Sequence, residues 1–483
     1  MTKSKPYIIA KSVPLIKANN VHVSPYTYTG SGVTVAVIDT GIDTDHPDLA
    51  NDIVAQRCFL PAGKCPSSLS SETESNNAED DQGHGTHVAG IVTSPVGVAP
   101  NAKIVAVKVC DSGGSCVVSD SIAALNWIRA NLNTQPVQII NMSLGMNKYN
   151  DTGACESSEP SYNTAVNLLV DKGVTIFASS GNDGYSTHIG RPGCFSNTIA
   201  VGATYKSEDY CWKKEKQVNG DLVCTEYKSL SFCDNWKWEK LAGVWNLICN
   251  NPSPSCISAD IDQVACFSNS NNLVDVLAPG AMIVSSKKDG GTKEKYGTSQ
   301  ATPMAAGVAA LMLEANPTLT QAQIRTVLKD TGKPIVDTRN SLTFPRIDVL
   351  AAVNKILPGT LQFSSSAYTV NENGSSITIT VTRTGGNYGA IAVNYITSNG
   401  SATAGSDYNI SNGTLNWNDG ETANNIFTVS ITDDSDFKGD ENFTVSLSNP
   451  TGGTSIGTQN QATITIVENE SPPPVVKIPG SPA

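Results

Sequence analysis

The sequence predicts two folds in series: an α/β domain with a parallel sheet covered by helices on both faces, in three layers, then an all-β sandwich. Three observations carry this. Before residue 358, short apolar runs alternate with stretches of helical periodicity. After Pro358 and Gly359, the apolar residues recur at every second position. Charge follows the same division: residues 360–470 hold 11 carboxylates against Arg383 and Lys438, most of the chain's net charge of −12.

The runs at 33–38, 103–109, 137–142 and 174–178 are apolar at most positions, as expected of strands buried on both faces. Helical stretches over 119–131 and 164–172 lie between them, and strand–helix alternation argues for a parallel sheet. Thr320 with Gln323 forms a capping-box pattern that opens a late helix. Beyond 358, Ile377, Ile379 and Val381 alternate with threonines, as do Phe427, Val429 and Ile431, then Phe443, Val445 and Leu447, then Ile464 and Ile466. Gly-, Asn- and Asp-rich turns separate them, the pattern of a sandwich. The expected division is residues 1–357, residues 360–470 and a Pro-rich tail over 471–483. Within the first part, 205–266 carries six cysteines and four of the six tryptophans, and reads as an inserted, disulfide-stapled loop subdomain.

Composition excludes several classes. With 483 residues, 39% of them hydrophobic, the chain has enough apolar content for sizeable cores. No run approaches the roughly 18 apolar residues of a membrane span. A negative net charge argues against binding that neutralises nucleic-acid phosphates. The twelve cysteines include no C-x-x-C pair, so disulfides are the reading rather than zinc, and disulfides imply an oxidising compartment. The start shows no export signal. A secreted protein whose signal lies upstream of residue 1 is therefore expected.

Three separated segments each place one polar residue on a suitable element. Asp39, in Val37-Ile38-Asp39-Thr40-Gly41, ends a buried strand, where α/β sheets form sites. His84, in Gly83-His84-Gly85-Thr86-His87, opens a helix. Ser299, in Gly297-Thr298-Ser299-Gln300-Ala301-Thr302-Pro303, stands at the start of an apolar helix, whose dipole favours a developing negative charge. Singly, each has a plain reading: a turn-forming Asp, an N-capping Ser, a His pair at i, i+3 with no third metal ligand nearby. Together they supply acid, base and hydroxyl nucleophile, in the chain order Asp, His, Ser that general accounts of catalytic triads assign to subtilisin.

With these motifs, residues from about 20 to 357 resemble the subtilisin-like serine proteases (subtilases). Ser179-Ser180-Gly181-Asn182 resembles the family's oxyanion-hole segment. The resemblance implies that Asp39 orients the base, His84 acts as base then acid, Ser299 attacks the scissile carbonyl, and Asn182 stabilises the oxyanion with the Ser299 N–H. It implies protein or peptide substrates held between Ser143-Leu144-Gly145 and a second edge containing Gly113 and Gly114, by strand addition. Gly190 falls where the family places the floor of the S1 pocket, leaving room for large apolar P1 side chains; Asp183 falls at the rim. Cys58 with Cys65 and Cys110 with Cys116 are expected to pair, and the resemblance implies a pair between Cys155 and Cys194. The six cysteines from 211 to 266 allow 15 connectivities. Gln300 and Met304 replace the family's usual Met and His, neither of them a catalytic group. Asp48 matches a ligand of the family's high-affinity calcium site, but the loop that supplies the other ligands is shortened between Gly90 and Gly97, so calcium is not expected there. The acidic stretch 72–81 is a further calcium candidate, with a solvated loop as its plainer reading. The inhibitory propeptide usual in the family is expected upstream of residue 1.

Residues 360–470 resemble a Calx-beta domain, through Val370-Asn371-Glu372-Asn373, the run from Ala402 to Tyr408, Asp419-Gly420-Glu421, Ile431-Thr432-Asp433-Asp434 and Asp440-Glu441-Asn442-Phe443. The resemblance implies structural calcium at one end of the sandwich, with Glu372, Asp407, Asp433, Asp434, Asp436 and Glu441 as candidate ligands. Lys438 stands where an acid is usual, and Glu468-Asn469-Glu470 replaces a run of Asp. The expectation is a monomeric, secreted serine endopeptidase of broad specificity. Its rival is a non-catalytic, calcium-dependent adhesion protein on the same scaffold.

Overall fold

The computed structural model describes residues 12–61, 63–66, 74–205 and 261–474, together with the backbone of four strands between 210 and 249. The chain divides into two compact units between Val353 and Asn354.

The first unit is built on a ten-stranded sheet. Its order is Lys333–Asp337, Leu342–Arg346, Val276–Pro279, Ile199–Thr204, Thr175–Ser179, Ile139–Met142, Thr34–Asp39, Lys103–Lys108, Ile53–Phe59 and Glu74–Ser75. The first and last strands run antiparallel to their neighbours and the rest are parallel. The central strands are buried almost throughout because helices cover both faces. On one face, Leu125 and Ile128 of helix Val118–Asn131 and Tyr162, Val166 and Leu169 of helix Pro160–Val170 share a core with Ile38, Val107, Ile140 and Ile176. On the other, helix Thr298–Ala315 packs on the central strands and against helix His84–Thr93. Its Ala- and Gly-rich sequence suits this, since Gly307 lies so close to Val98 that a Cβ there would come within 2.7 Å of it. Thr320 and Gln323 form the capping box of helix Gln321–Thr331.

Disulfides join Cys58 to Cys65, Cys110 to Cys116 and Cys155 to Cys194. The inserted segment contains a four-stranded antiparallel sheet, in the order Leu222–Lys228, Tyr210–Lys216, Val244–Cys249, Trp236–Leu241. Cys266 is disulfide-bonded, while the pairing of cysteines 211 to 256 lies outside the described residues. No helix among the described residues is long and apolar enough to cross a membrane.

The second unit has two sheets. One runs Asn425–Ser430, Ser376–Thr384, Thr360–Phe363, Ser455–Ile456. The other runs Ala367–Asn371, Gln461–Val467, Glu441–Thr451, Ile391–Asn399, Asn412–Trp417. Alternate residues of Ser376–Thr384 and Gln461–Val467 are buried, as a half-covered strand requires. Their core includes Trp417, Tyr408 and Phe443, with the last two rings stacked at 4.0 Å. The tail from residue 475 lies outside the described residues.

Candidate active site

Asp39 ends its strand 1% exposed, and His84 begins the helix His84–Thr93. A buried acid between them, Asp80, ties the two together. Its Oδ1 accepts from Thr40 Oγ1, Gln82 N and Gly83 N at 2.8–2.9 Å, and its Oδ2 accepts from Thr86 N and Oγ1 at 3.0 and 2.6 Å. Thr40 Oγ1 in turn accepts from Gly85 N at 2.9 Å. The helix start is thereby pulled onto the strand end, so closely that a Cβ on Gly85 would come within 2.0 Å of Gly41 O. The result is a contact of 2.7 Å between His84 Nδ1 and Asp39 Oδ1. A carboxylate only accepts, so Nδ1 carries the proton and Nε2 is left as the basic nitrogen.

Ser299 is the second residue of its helix, after Gly297 at φ 150°, where a Cβ would meet Gln300 Oε1 at 2.9 Å. Ser299 Oγ donates to Ser143 O at 3.1 Å, and Ser143 Oγ donates to Ser299 O at 2.8 Å. The hydroxyl therefore rests on Ser143, and among the described residues it makes no hydrogen bond to His84. Such bonds are often loose before substrate is present. Asn182 Oδ1 accepts from Thr298 N and Oγ1 at 2.8 and 2.9 Å, which fixes the amide and leaves its NH2 beside Gly297. Asp39, His84, Ser299, Ser143, Leu144, Gly145 and Gly114 share one cavity of about 210 Å3.

Two backbone edges border this cavity. Ser143 to Gly145 joins the strand Ile139–Met142 to the strand Met146–Tyr149, which pairs with Ile189–Arg191. Gly190 lies in that second strand, and a Cβ there would sit 3.5–3.8 Å from Ser180 O, Asn147 O and Gly145 Cα. Opposite, Gly113 and Gly114 lie on an exposed turn. The Asp111 carboxylate shapes it by accepting from Gly113 N and Ser115 N at 3.0 Å, and the Cys110–Cys116 disulfide closes it. Asp183 is already paired: Lys148 Nζ is 2.9 Å from its Oδ1, and Asn269 Nδ2 donates to its Oδ2 at 3.1 Å. Lys148 also lies 4.6 Å over the Tyr185 ring.

His87 takes no part in the cavity. Burial pushes its imidazole down to about 3, and its Nε2 lies 2.9 and 3.1 Å from Lys293 O and Ile283 O, so the neutral ring pins the helix to a hairpin. The acids ahead of His84 are occupied by protein donors: Glu74 by Arg57, Glu79 by Thr44, Asp81 by the buried Lys108. Residues 67–73 of that stretch lie outside the described residues. Asp48 is half-buried, with its N–H donating to His46 Nδ1 at 3.1 Å. The role of Asp80 was not read from the sequence; an Asp three residues before the helix-capping Gly83 was the available signal.

In the sandwich, only Glu372 of the six candidate ligands belongs to the close carboxylate group found among the described residues. Lys438 Nζ lies 2.5 Å from Asp407 Oδ1 and 2.6 Å from Asp434 Oδ2. Those neighbours hold its pKa above the usual lysine value. Asp436 N donates to Asp434 Oδ1 at 2.8 Å, while burial and the Asp407 charge raise the Glu441 pKa. Asp433 enters no hydrogen bond or ion pair described for this end. Glu372 instead gathers with Glu468 and Glu470, carboxylate oxygens within 4.8 Å of one another. Burial, and Glu468 facing it, push Glu372 up to about 7. Hydrogen bonds from the Glu470 side chain and from the N–H groups of Glu470, Lys438 and Gly439 hold Glu468 far below the carboxylate range. Glu470 Oε2 is buried without a partner among the described residues. Three crowded carboxyls, one of them with its pKa raised by burial and by its neighbour, are a donor set that suits a hard cation such as calcium.

Comparison with known proteins agrees with this architecture. Residues 30–345 match the subtilase family model, and residues 357–470 match that of the Calx-beta domain. Subtilisin E of Bacillus subtilis (strain 168) is 34% identical over 344 residues, 68% of this chain and 66% of that protein. The chain thus spans slightly under two thirds of that relative's length. Subtilisin of Bacillus pumilus is 33% identical over 344 residues, 68% of this chain and 92% of that protein. A solved structure described as a cold adapted subtilisin-like serine proteinase is 27% identical, covers 68% of this chain and 93% of its own, and has a TM-score of 0.47. With its family model matched over the greater part of the chain, this protein belongs to the subtilase family and carries a Calx-beta domain behind the subtilase domain.

Proposed function

We propose that the protein is a secreted serine endopeptidase that cleaves proteins through an acyl-enzyme. The observation that carries this reading is the 2.7 Å contact between His84 and Asp39 at a cavity that Ser299 also lines. The Ser299 hydroxyl leaves the Ser143 carbonyl, gives its proton to His84 Nε2 and forms a C–O bond to the scissile carbonyl carbon. The carbonyl electrons move to oxygen, and that oxyanion is held by the Ser299 N–H and the Asn182 amide, a donor typically worth about 3–4 kcal/mol in such sites. His84 then protonates the departing amine, the C–N bond breaks, and water activated by His84 releases the acyl group. Asp39 holds the ring and the charge it gains.

The substrate's acyl side lies between Ser143–Gly145 and the turn of Gly113 and Gly114, held through backbone pairing, which makes specificity broad. Gly145 and Gly190 leave the P1 site open to large apolar side chains, and the Lys148–Asp183 pair leaves its rim without net charge. The disulfides fit an extracellular protein. The accompanying organisation is a peptidase domain through residue 357 with its 205–266 insertion, and a sandwich over 360–470 in which Glu372, Glu468 and Glu470 would hold one structural calcium.

The test is hydrolysis of casein and of a chromogenic peptide with a large apolar P1 residue, with and without a serine-directed covalent inhibitor. Ser299→Ala should lower kcat by about 10^4–10^6. Turnover retained in that variant overturns the assignment. A folded, disulfide-intact protein that cleaves nothing supports the adhesion reading instead.

A further inference from the structure

The geometry points to Lys295 as a specificity-determining residue: we propose that its ammonium receives a carboxylate side chain on the first or second residue of the substrate's leaving-group side. The inference rests on the peptidase reading above and names a substrate class for it.

Lys295 ends the hairpin strand Thr292–Lys295, four residues before Ser299. Its Nζ donates to Gly83 O at 2.8 Å, and Gly83 immediately precedes His84. One side chain therefore spans from the nucleophile's segment to the base's segment. On the peptidase reading the cavity and both backbone edges take the substrate's acyl side, and Lys295 is absent from the cavity lining. It stands instead against the start of the His84 helix. The amine that leaves must pass His84 to be protonated, so the residue attached to that amine is delivered beside Lys295.

The ammonium there has no ion pair of its own. Among the described residues Lys295 has no ion-pair partner, whereas Lys288 has Asp289, Lys148 has Asp183 and Lys108 has Asp81. The carboxylates that act on it electrostatically, Asp39 and Asp80, are both 1% exposed; Asp80 is engaged through both oxygens by Thr40, Thr86 and loop N–H groups, and Asp39 through Oδ1 by His84 and Thr40 N, with its buried Oδ2 unpartnered among the described residues. An ammonium has three donors, and Gly83 O accepts one. Partial burial, with Lys293 adjacent, lowers the Lys295 pKa, a cost that a substrate carboxylate would relieve. In a chain of net charge −12, the segment 287–295 holds four lysines against two acids.

The experiment uses the full chain and C-terminally amidated fluorogenic peptides that differ only in carrying Asp, Asn or Lys at the first or second leaving-group residue. Amidation removes the terminal carboxylate as a competing source of the same chemistry. A parallel peptide with a neutral side chain and a free terminus reads that source separately, and preference for it alone overturns the proposal. The wild type should favour Asp over Lys by about fivefold in kcat/KM, the size of a partly exposed ion pair. That ratio should shrink in high salt, fall towards one in Lys295→Gln and invert in Lys295→Glu. An unchanged ratio in Lys295→Glu, with the Asn peptide still cleaved, overturns the inference. If either variant fails to fold, a wild-type ratio of one that salt does not move overturns it equally. Absence of inhibitor-sensitive cleavage of the Asn peptide by the wild type overturns the peptidase reading itself, and with it this one.

Discussion

Two acid-rich regions of the molecule solve the same problem in opposite ways. Between residues 74 and 81, each carboxylate has a donor of its own: Asp80 takes five hydrogen bonds, Glu79 takes Thr44, Glu74 takes Arg57 and Asp81 takes Lys108. At the end of the sandwich, Glu372, Glu468 and Glu470 face one another, and a single ammonium, Lys438, serves Asp407 and Asp434. An acid surrounded by donors is a structural element without help. Acids that face each other must give up charge or take a cation. The first region should therefore be indifferent to calcium and sensitive to its own side chains, and the second the reverse.

The largest effect should come from Asp80. Asp80→Ala removes the acceptor of five donors beneath the His84 helix, at about 3–5 kcal/mol of stability for the first unit. It should lower kcat more than it raises KM, because the His84–Asp39 geometry loosens while the substrate edges stay. Asp80→Asn, which keeps the shape, should recover part of both. Chemical denaturation and steady-state kinetics read the two effects, and equal stability in Asp80→Ala would break the comparison at its first member.

His87 gives a pH test of the same region. Its pKa in the fold is pushed down to about 3, below the unfolded value near 6.5. The unfolded chain thus binds a proton that the fold refuses. This contribution is fully present above pH 6.5 and is lost as pH falls through 3, amounting to about 3–5 kcal/mol. Denaturation midpoints measured from pH 7 to 4 should fall in the wild type, and fall less steeply in His87→Gln.

The sequence carried the catalytic segments because each motif joins a residue to the local element that aims it. Asp39 at a strand end, and His84 and Ser299 at helix starts, are local facts. What escaped was tertiary. The seat of Ser299 on the Ser143 carbonyl joins residues 156 apart, and nothing near either one announces it. The Cys155–Cys194 bridge spans 39 residues and came only from family likeness, whereas Cys58–Cys65 and Cys110–Cys116 followed from spacing. In the sandwich, the alternating pattern gave the strands, but matching acids to loop positions gathered six candidates of which only Glu372 belongs to the close carboxylate group among the described residues. Glu468 and Glu470, noted only as a departure, are the ones that Glu372 meets.

Calcium should act on that trio. At a hundred times its Kd, one bound ion adds about 2.7 kcal/mol to the sandwich unit. Glu372 makes the gain depend on pH. Its pKa is raised in the fold to about 7, so without calcium this acid favours the fold below its unfolded value near 4.5, and that favour is lost as pH rises through 7. The calcium-induced shift of the sandwich melting transition should therefore grow from pH 5 to pH 8. Glu372→Gln should abolish most of it while raising the stability of the calcium-free protein at pH 8. A shift of equal size in Glu372→Gln would place the ion elsewhere.

Lys438 supplies the smallest effect and the sharpest sign. Its side chain is 30% exposed, so its pairs with Asp407 and Asp434 contribute about 1 kcal/mol. Lys438→Gln should cost that much without calcium, because two carboxylates lose their shared counter-charge. With calcium the sign should reverse: Asp407 and Asp434 become free oxygen ligands beside the trio, and the repulsion that the ammonium exerts on an incoming cation is gone. Titration calorimetry should then show tighter binding, or a second equivalent, in Lys438→Gln than in the wild type. If the substitution weakens calcium binding instead, Lys438 is orienting the acids rather than competing for them. The two regions would then differ in how many donors they hold, and no longer in the principle by which their charge is met.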